Sequence, residues 1–473
     1  MEIIHISAEC YPVAKVGGLG DVVGSLPIYQ ATSGHDVKVV MPMYRTKFLY
    51  DNEWDLIYED NQFLGSQSFH YSIIKEKTNK LGFELFLVDI KNLLDREKVY
   101  GYDDDSERFI SFQIAFCDWL TKTKLVPDII HCHDHHTGLI PFMIKYCFAF
   151  NHQLSEVPTV FTIHNAQYQG WMGWDKYFYI PLYDSWRYGL LDWKNLINPM
   201  ASALKCAWKV TTVSQSYLDE LKYSSNGLES LFEFEKGKCT GILNGIDTQV
   251  WNPETDPLII GNYNHESVDK GKKENKLELC KQFNLDPQKP LIVFIGRLVG
   301  EKAADLLPTA IGQSIQQQNG NAIFLVLGSG DPDIESQLEQ LKHRFKGYFN
   351  SYIGYQEQLS HNMYAGADFL LMPSRVEPCG LNQLYALRYG TIPMVRSTGG
   401  LKDTVIDFSE AYGFGIRFNE ASIGDITHSV GRAIDLYENN PDEFTRIRSY
   451  MMTLDHSWNA SASQYIDLYQ SVK

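Results

Sequence analysis

Nowhere does the 473-residue chain string together the roughly 20 uninterrupted apolar residues that a membrane-spanning helix needs. Its first residues, MEIIHISAEC, enter an apolar strand with no basic leader, so neither a signal peptide nor a transit peptide is expected, and the expected location is cytoplasmic. Cys-x-x-Cys pairs are absent. The eight cysteines stand singly, several in apolar patterns such as Cys132, Cys147 and Cys206, which suits buried free thiols better than disulfides or a zinc site. Basic excess is lacking too. A net charge of −16 argues against nucleic acid as a partner, because a polyanion binder draws much of its affinity from a basic surface. Any anionic ligand must then be met by a few local Lys and Arg. There is no fixed-period repeat and no low-complexity tract.

With 44% hydrophobic and 21% charged residues, the composition is ordinary for a globular protein, long enough for two cores. Short apolar β-rich runs alternate with helical patterns, the signature of parallel sheets covered by helices. Strands are predicted at 2–7, 36–43, 83–90, 128–133, 158–164 and 209–214, and a second series at 290–297, 321–328, 367–374 and 392–397. The fold class is therefore α/β, with two doubly wound domains. A polar stretch, 251–290, opens with Trp251-Asn252-Pro253 and separates the two series. Domains are expected at 1–247 and 248–455, with 456–473 forming a terminal helix that packs back on the first, its apolar residues Trp458, Tyr465 and Leu468 at helical spacing.

Five segments carry candidate chemistry. Lys15-Val16-Gly17-Gly18-Leu19-Gly20-Asp21 follows the first strand and leads into a helix. Such glycines let a backbone approach a phosphate or sugar hydroxyl, or simply make a tight turn. A dinucleotide fingerprint would need glycine where Val23 stands, which weakens an oxidoreductase reading. His131-Cys132-His133-Asp134-His135-His136 ends a strand. It can be read as a metal site, as core and cap residues with Asp134 capping the next helix, or, as we prefer, as polar groups for sugar hydroxyls. His164-Asn165…Tyr168-Gln169-Gly170 ends another strand of the same series.

In the second half, Arg297 and Lys302 flank a strand-to-helix loop, where they can converge on a diphosphate or lie as solvated surface charges. The run 372–405 is the richest. Glu377 follows a strand and precedes a helix whose first turn is expected to contain Cys379, Gly380 and Leu381, and Thr398-Gly399-Gly400 repeats the arrangement at the next strand end.

Lys15-x-Gly-Gly-Leu, His164-Asn165 with Tyr168-Gln169-Gly170, Gly241-Ile-Leu-Asn-Gly-Ile-Asp247 and Pro-Ser-Arg-x-Glu377-Pro-Cys-Gly-Leu-x-Gln-Leu together resemble the bacterial and plant glycogen/starch synthases, glycosyltransferase family 5, across essentially the whole chain. That resemblance implies a GT-B fold, two Rossmann-like domains facing across a cleft. It implies a hexosyltransferase that moves glucose from ADP-glucose, with UDP-glucose as the alternative donor, to the non-reducing end of an α-1,4-glucan with retained configuration. No cofactor or metal is implied, because Arg297 and Lys302 can neutralise the leaving diphosphate.

By the same resemblance, Glu377, His164, Asp134, Arg297 and Lys302 carry the transfer. Lys15, Gly17, Gly18, Asp21, Tyr100, Asn244, Tyr355, Cys379, Gly380, Leu381, Thr398, Gly399 and Gly400 hold the donor with Arg297 and Lys302, Tyr355 stacking on the base. Three positions depart from wider GT-B patterns. Tyr385 stands where many have a second Glu, Ala303 replaces a Gly and Trp208 an Asp. Rival readings are another GT-B enzyme, such as a different retaining hexosyltransferase or a nucleotide-sugar epimerase, and a non-catalytic glucan-binding regulatory protein. A pure binder would have no use for the diphosphate cations.

Overall fold

The computed structural model describes residues 1–473 and divides them into two compact units: Met1–Leu243 with Trp458–Lys473, and Asn244–Ser457. The divisions fall four residues before and two after the expected boundaries at 247 and 456.

The first unit is built on a nine-stranded sheet. Its order is Cys239–Gly241, Lys209–Thr212, Thr159–Ile163, Ile129–His133, Glu2–Ile6, Asp36–Pro42, Glu84–Asp89, then Gln67–Glu76 and Trp54–Leu64. All pair in parallel as far as Glu84–Asp89, and the last two form an antiparallel hairpin at the edge. Parallel strands are covered on both faces, so they read as continuous apolar runs, and this is why the six predicted strands of the first series coincide with observed ones to within one or two residues at each end. The hairpin was not predicted. Only Leu64 of its outer strand is buried, and Asp, Glu, Asn and Gln interrupt the rest, so it offers no apolar run.

The order reverses between Glu2–Ile6 and Ile129–His133. The chain works outward on one side through Asp36–Pro42, and on the other through Thr159–Ile163. In open α/β sheets, the crevice beyond the carboxyl ends of such a pair is where ligands collect. Lys15 to Gly18 follow the first of these strands, and Asp134 follows the second.

The terminal helix Trp458–Gln470 lies against the helix Gly18–Thr32. It buries Trp458, Ala462, Tyr465 and Tyr469, the inward stripe of a 3.6-residue period, in the same core as Ile3, Val39 and Leu19. Tyr469 rather than Leu468 completes the buried stripe. The Tyr469 hydroxyl sits 2.6 Å from His131 Nδ1 and accepts from Gln30 Nε2 at 3.1 Å. Tyr469→Phe should therefore cost about 1–3 kcal/mol in urea unfolding, since it leaves two buried polar atoms unsatisfied.

The second unit holds a six-stranded parallel sheet ordered Phe349–Ile353, Ile323–Gly328, Leu291–Ile295, Phe369–Met372, Ile392–Arg396, Ile416–Phe418. Alternate residues of one strand fill opposite cores: Ile292 and Phe294 on one face, Leu291 and Val293 on the other. The reversal lies between Leu291–Ile295 and Phe369–Met372, which carry Arg297 and Glu377 beyond their ends. Both edge strands, Phe349–Ile353 and Ile416–Phe418, escaped prediction because they are short and partly polar. No helix of the chain is long and apolar enough to cross a membrane, and all eight cysteines are free.

Candidate functional site

In the first unit, Glu9 organises the glycine turn. Its Oε2 accepts the main-chain N–H of Val16 and Gly17 at 2.6 and 2.9 Å, and its Oε1 accepts the Tyr100 hydroxyl at 2.8 Å. Lys15 pairs with Asp21 at 2.6 Å. A Cβ at Gly24 would lie 2.5 Å from the Tyr11 carbonyl, so packing alone explains that glycine. A Cβ at Gly17 or Gly18 would meet nothing within 4 Å beyond the local backbone, so packing does not require glycine at either position and the space beside them is open. Tyr100 stacks on His136 with ring centres 4.6 Å apart, so one face of its ring is covered.

The histidine run separates into two environments. His131 and His133 point to one face of the sheet and stack at 4.2 Å, as residues two apart on a strand must. His136 packs on Tyr100 and Phe109, and a Cβ on Gly170 would strike the His135 ring at 2.4 Å. His5, His131 and His133 bring ring nitrogens within 4.8 Å of one another. Every nitrogen of these three rings already has a hydrogen-bonding partner, so a metal ion could take them only by displacing those bonds.

Asp134 does not cap the following helix. Its Oδ1 accepts the main-chain N–H of His164 at 2.8 Å and ties together the ends of two neighbouring strands. It holds φ 56° and ψ 177°, a conformation that L-residues rarely adopt, so the fold spends strain to aim this carboxyl. Burial raises its pKa to about 7, against the pull of the His164 and Asn165 N–H groups, with Glu9 adding a smaller upward push. Burial drives His164 down to about 3, so its ring is neutral at ordinary pH.

Because the Asp134 value rises from 3.8 to about 7 on folding, the folded chain holds the extra proton between those limits, and stability falls as pH rises from about 4 to 7. Asp134→Asn keeps an acceptor for the His164 N–H and removes the buried charge. It should match the wild type near pH 4 and exceed it by roughly 1–3 kcal/mol at pH 8 in chemical denaturation.

In the second unit, Lys302 Nζ donates to both Glu377 oxygens at 2.7 Å, and Ser374 Oγ donates to Glu377 Oε2 at 2.8 Å. Glu377 is only 7% exposed. Arg375 bridges the two loops through Asp305, at 2.6 and 2.8 Å, and the Gly300 carbonyl. Gly400 N–H donates to the Glu377 carbonyl at 3.1 Å, and a Cβ there would lie 2.1 Å from the Cys379 carbonyl. Gly399, at φ 44°, follows Thr398, which precedes the helix Gly399–Thr404.

The helix after Glu377 runs Asn382–Arg388, so Cys379, Gly380 and Leu381 precede it rather than forming its first turn. Gly380 adopts φ 73°, a left-handed turn two residues before the helix begins. Cys379 is buried beside Asn244, and burial pushes its thiol up to about 12, out of nucleophilic range. The Asn244 Oδ1 is buried without a protein partner.

Of the predicted set, then, Lys302, Glu377, Gly400, Cys379 and Asn244 form one cluster, Asp134 with His164 a second, and Lys15 with Asp21, beside Gly17, a third. Arg297 does not converge on Glu377. Its side chain is 63% exposed, and Glu301 lies 3.8 Å away. Tyr355 follows the edge strand and is 81% exposed. Glu9 and Ser374 were missed. Ser374 lies inside the motif around Glu377, so the sequence held a signal for it, whereas Glu9 is recognisable only from the turn it closes.

Residues 2–234 match the family described as starch synthase catalytic domain, and residues 275–443 match glycosyl transferases group 1. Over 472 residues, the chain is 53% identical to a glycogen synthase of Flavobacterium johnsoniae, covering 100% of this chain and 99% of that one. The chain belongs to the glycogen synthase family. A second glycogen synthase, from Finegoldia magna, is 36% identical over the full length of both chains. The structure of the catalytic domain of Starch Synthase IV from Arabidopsis thaliana, bound to ADP and acarbose, matches with a TM-score of 0.88 at 32% identity, covering 100% of this chain and 99% of that one. A sucrose-phosphate synthase from Thermosynechococcus elongatus, 17% identical with a TM-score of 0.64, shares the fold. The fold is GT-B, and this glycogen synthase family member is a glycosyltransferase with glycogen/starch synthase function.

Proposed function

We propose that this enzyme transfers glucose from ADP-glucose to the non-reducing end of an α-1,4-glucan, one unit at a time and with retained anomeric configuration, in the cytoplasm and without a metal or other cofactor. The Lys302–Glu377 pair at the switch point of the second sheet supports this most directly. Two of the three ammonium donors of Lys302 are used by Glu377, and the third remains for a diphosphate oxygen. Arg297, exposed and only loosely paired, offers a planar fork to the same leaving group. These two cations can offset the charge that develops as the sugar–phosphate bond breaks, the part a divalent ion would otherwise take. Glu377, fixed by Lys302 and Ser374, accepts hydrogen bonds from sugar hydroxyls, and Cys379 to Leu381 and Thr398 to Gly400 surround it with main-chain groups. Asn244 offers its unsatisfied oxygen, Tyr355 its exposed ring to the base, and Lys15, Gly17, Gly18, Asp21 and Tyr100 the glycine turn.

On the first unit, the main-chain N–H of His164 is taken by Asp134, so its carbonyl is the group left to steady an oxocarbenium-like sugar. A neutral His164 ring adds no repelling charge. Ionised Asp134 would favour that cation, so kcat/KM should rise with pH through about 7 in the wild type and lose that step in Asp134→Asn. Activity and stability would then run in opposite directions across the same titration. Incubation with ADP-glucose and maltohexaose tests the product: a chain longer by one glucosyl unit, with an α-1,4 linkage by proton NMR, is expected. A β-linkage, or glucose released without chain extension, would refute it.

A further inference from the structure

One face of the first sheet carries a polar stripe in an otherwise apolar core. His5 lies opposite His131, His133 opposite Thr162, and Thr162 opposite Thr211, all on that face and all without solvent exposure. Gln30, from the helix Gly18–Thr32, and Tyr469, from the terminal helix, close over it. The side chains form one unbranched string. Thr211 and Thr162 are 2.5 Å apart, Thr162 and His131 Nε2 2.6 Å, His131 Nδ1 and Tyr469 2.6 Å, and Tyr469 and Gln30 Nε2 3.1 Å. On the other side of Gln30, its Oε1 is 2.7 Å from His5 Nε2. His5 Nδ1 is then 3.0 Å from His133 Nε2, and His133 Nδ1 3.0 Å from His164 Nε2.

Such a string has a direction. Burial holds His5 near 4 and His164 near 3, and drives His131 and His133 well below the ordinary value, so each ring is neutral and has one N–H and one lone pair. Gln30 Oε1 can only accept, so His5 must donate from Nε2 and accept at Nδ1. His133 must then donate from Nε2 and accept at Nδ1, and His164 must donate from Nε2. Gln30 is the joint: turning its amide over would reverse every bond and move the His164 proton to Nδ1.

We propose that Gln30, His5 and His133 are positioning residues for the transfer reaction, holding His164 as the Nε2–H tautomer so that its Nδ1 accepts a hydrogen bond from a donor-sugar hydroxyl. This rests on the reading above, that His164 faces the sugar through its main-chain carbonyl, and adds a contact from its ring. A hydroxyl that donates gains electron density on its oxygen, which favours an electron-poor sugar in the transition state. A hydroxyl forced to accept from an N–H loses density and disfavours it.

The test uses the full-length enzyme labelled with ¹⁵N-histidine, with His164 assigned by the signals lost in His164→Gln. Long-range ¹H–¹⁵N correlation should show the wild-type proton on Nε2, and a proton on Nδ1 would overturn the proposal by itself. His5→Phe keeps a ring in place and cuts the string. His164 should then show both tautomers, and kcat should fall about tenfold with KM for ADP-glucose within about twofold. Gln30→Met serves the same purpose if His5→Phe does not fold. Gln30→Glu, which keeps an acceptor facing His5, should retain the wild-type tautomer. An unchanged tautomer in the cut string refutes the coupling. Full activity of His164→Gln would overturn the contact between the His164 ring and the sugar, with the main-chain carbonyl contact and the tautomer result left intact.

Discussion

Replacing Glu377 with alanine is expected to slow glucose transfer by about a thousandfold, with the chain still folded. The size follows from what the residue holds in place. It is nearly buried, it takes two donors from Lys302 and one from Ser374, and its own carbonyl anchors Gly400. Alanine leaves the main-chain anchor in place and removes the acceptor that fixes the Lys302 ammonium. Lys302 then swings free, and both the sugar contact and the preorganised diphosphate charge go together. Glu377→Gln separates these roles, because the amide keeps the volume and one acceptor without the charge. It should fall between wild type and alanine in kcat, measured at saturating donor, with thermal midpoints confirming the fold. An alanine variant within tenfold of wild type would place Glu377 outside the reacting centre.

Gly400→Ala should cost about a hundredfold, although the change adds only a methyl group and touches no side chain assigned to chemistry. The new Cβ would lie 2.1 Å from the Cys379 carbonyl oxygen and 2.5 Å from its Cα, and both are backbone atoms. They cannot swing aside as a flexible side chain could, so the segment from Glu377 to Cys379 has to move. A displacement near 1 Å at a charge-bearing loop is enough for a loss of that size, through misplacement rather than missing chemistry. The signature is a fall in kcat with Lys302, Ser374 and Glu377 all still present. Unaltered kinetics would show that the loop tolerates the shift and that its position is not critical.

What the sequence revealed, and what it hid, divides along physical lines. Central parallel strands such as Leu291–Ile295 and Ile129–His133 are buried on both faces, so their apolar runs stand out without an alignment. The hairpin Trp54–Leu64 and Gln67–Glu76 hides because an edge exposed to solvent tolerates Asp, Glu, Asn and Gln. The start of the helix at Asn382 was misjudged because the left-handed turn at Gly380 looks, in sequence, like the glycine of a helix N-terminus. Glu377, Lys302, Asp134 and His164 could be named because each follows a strand in a distinctive run. Which partner each would take could not. Lys302 finds Glu377 seventy-five positions away, and His5 finds Gln30 and His133 only once the strand register is set. Glu9 shows the same limit, since nothing in Ala8-Glu9-Cys10 announces that it will hold the Val16 and Gly17 amides.

Transfer of labelled glucose to glycogen, from ADP-glucose and UDP-glucose side by side with EDTA present, tests the central claim most directly. ADP-glucose should support incorporation undiminished by the chelator, UDP-glucose should support much less, and Glu377→Ala should reduce both to near background. Incorporation that EDTA abolishes, or that UDP-glucose drives better than ADP-glucose, would contradict the account of how Arg297 and Lys302 serve this donor.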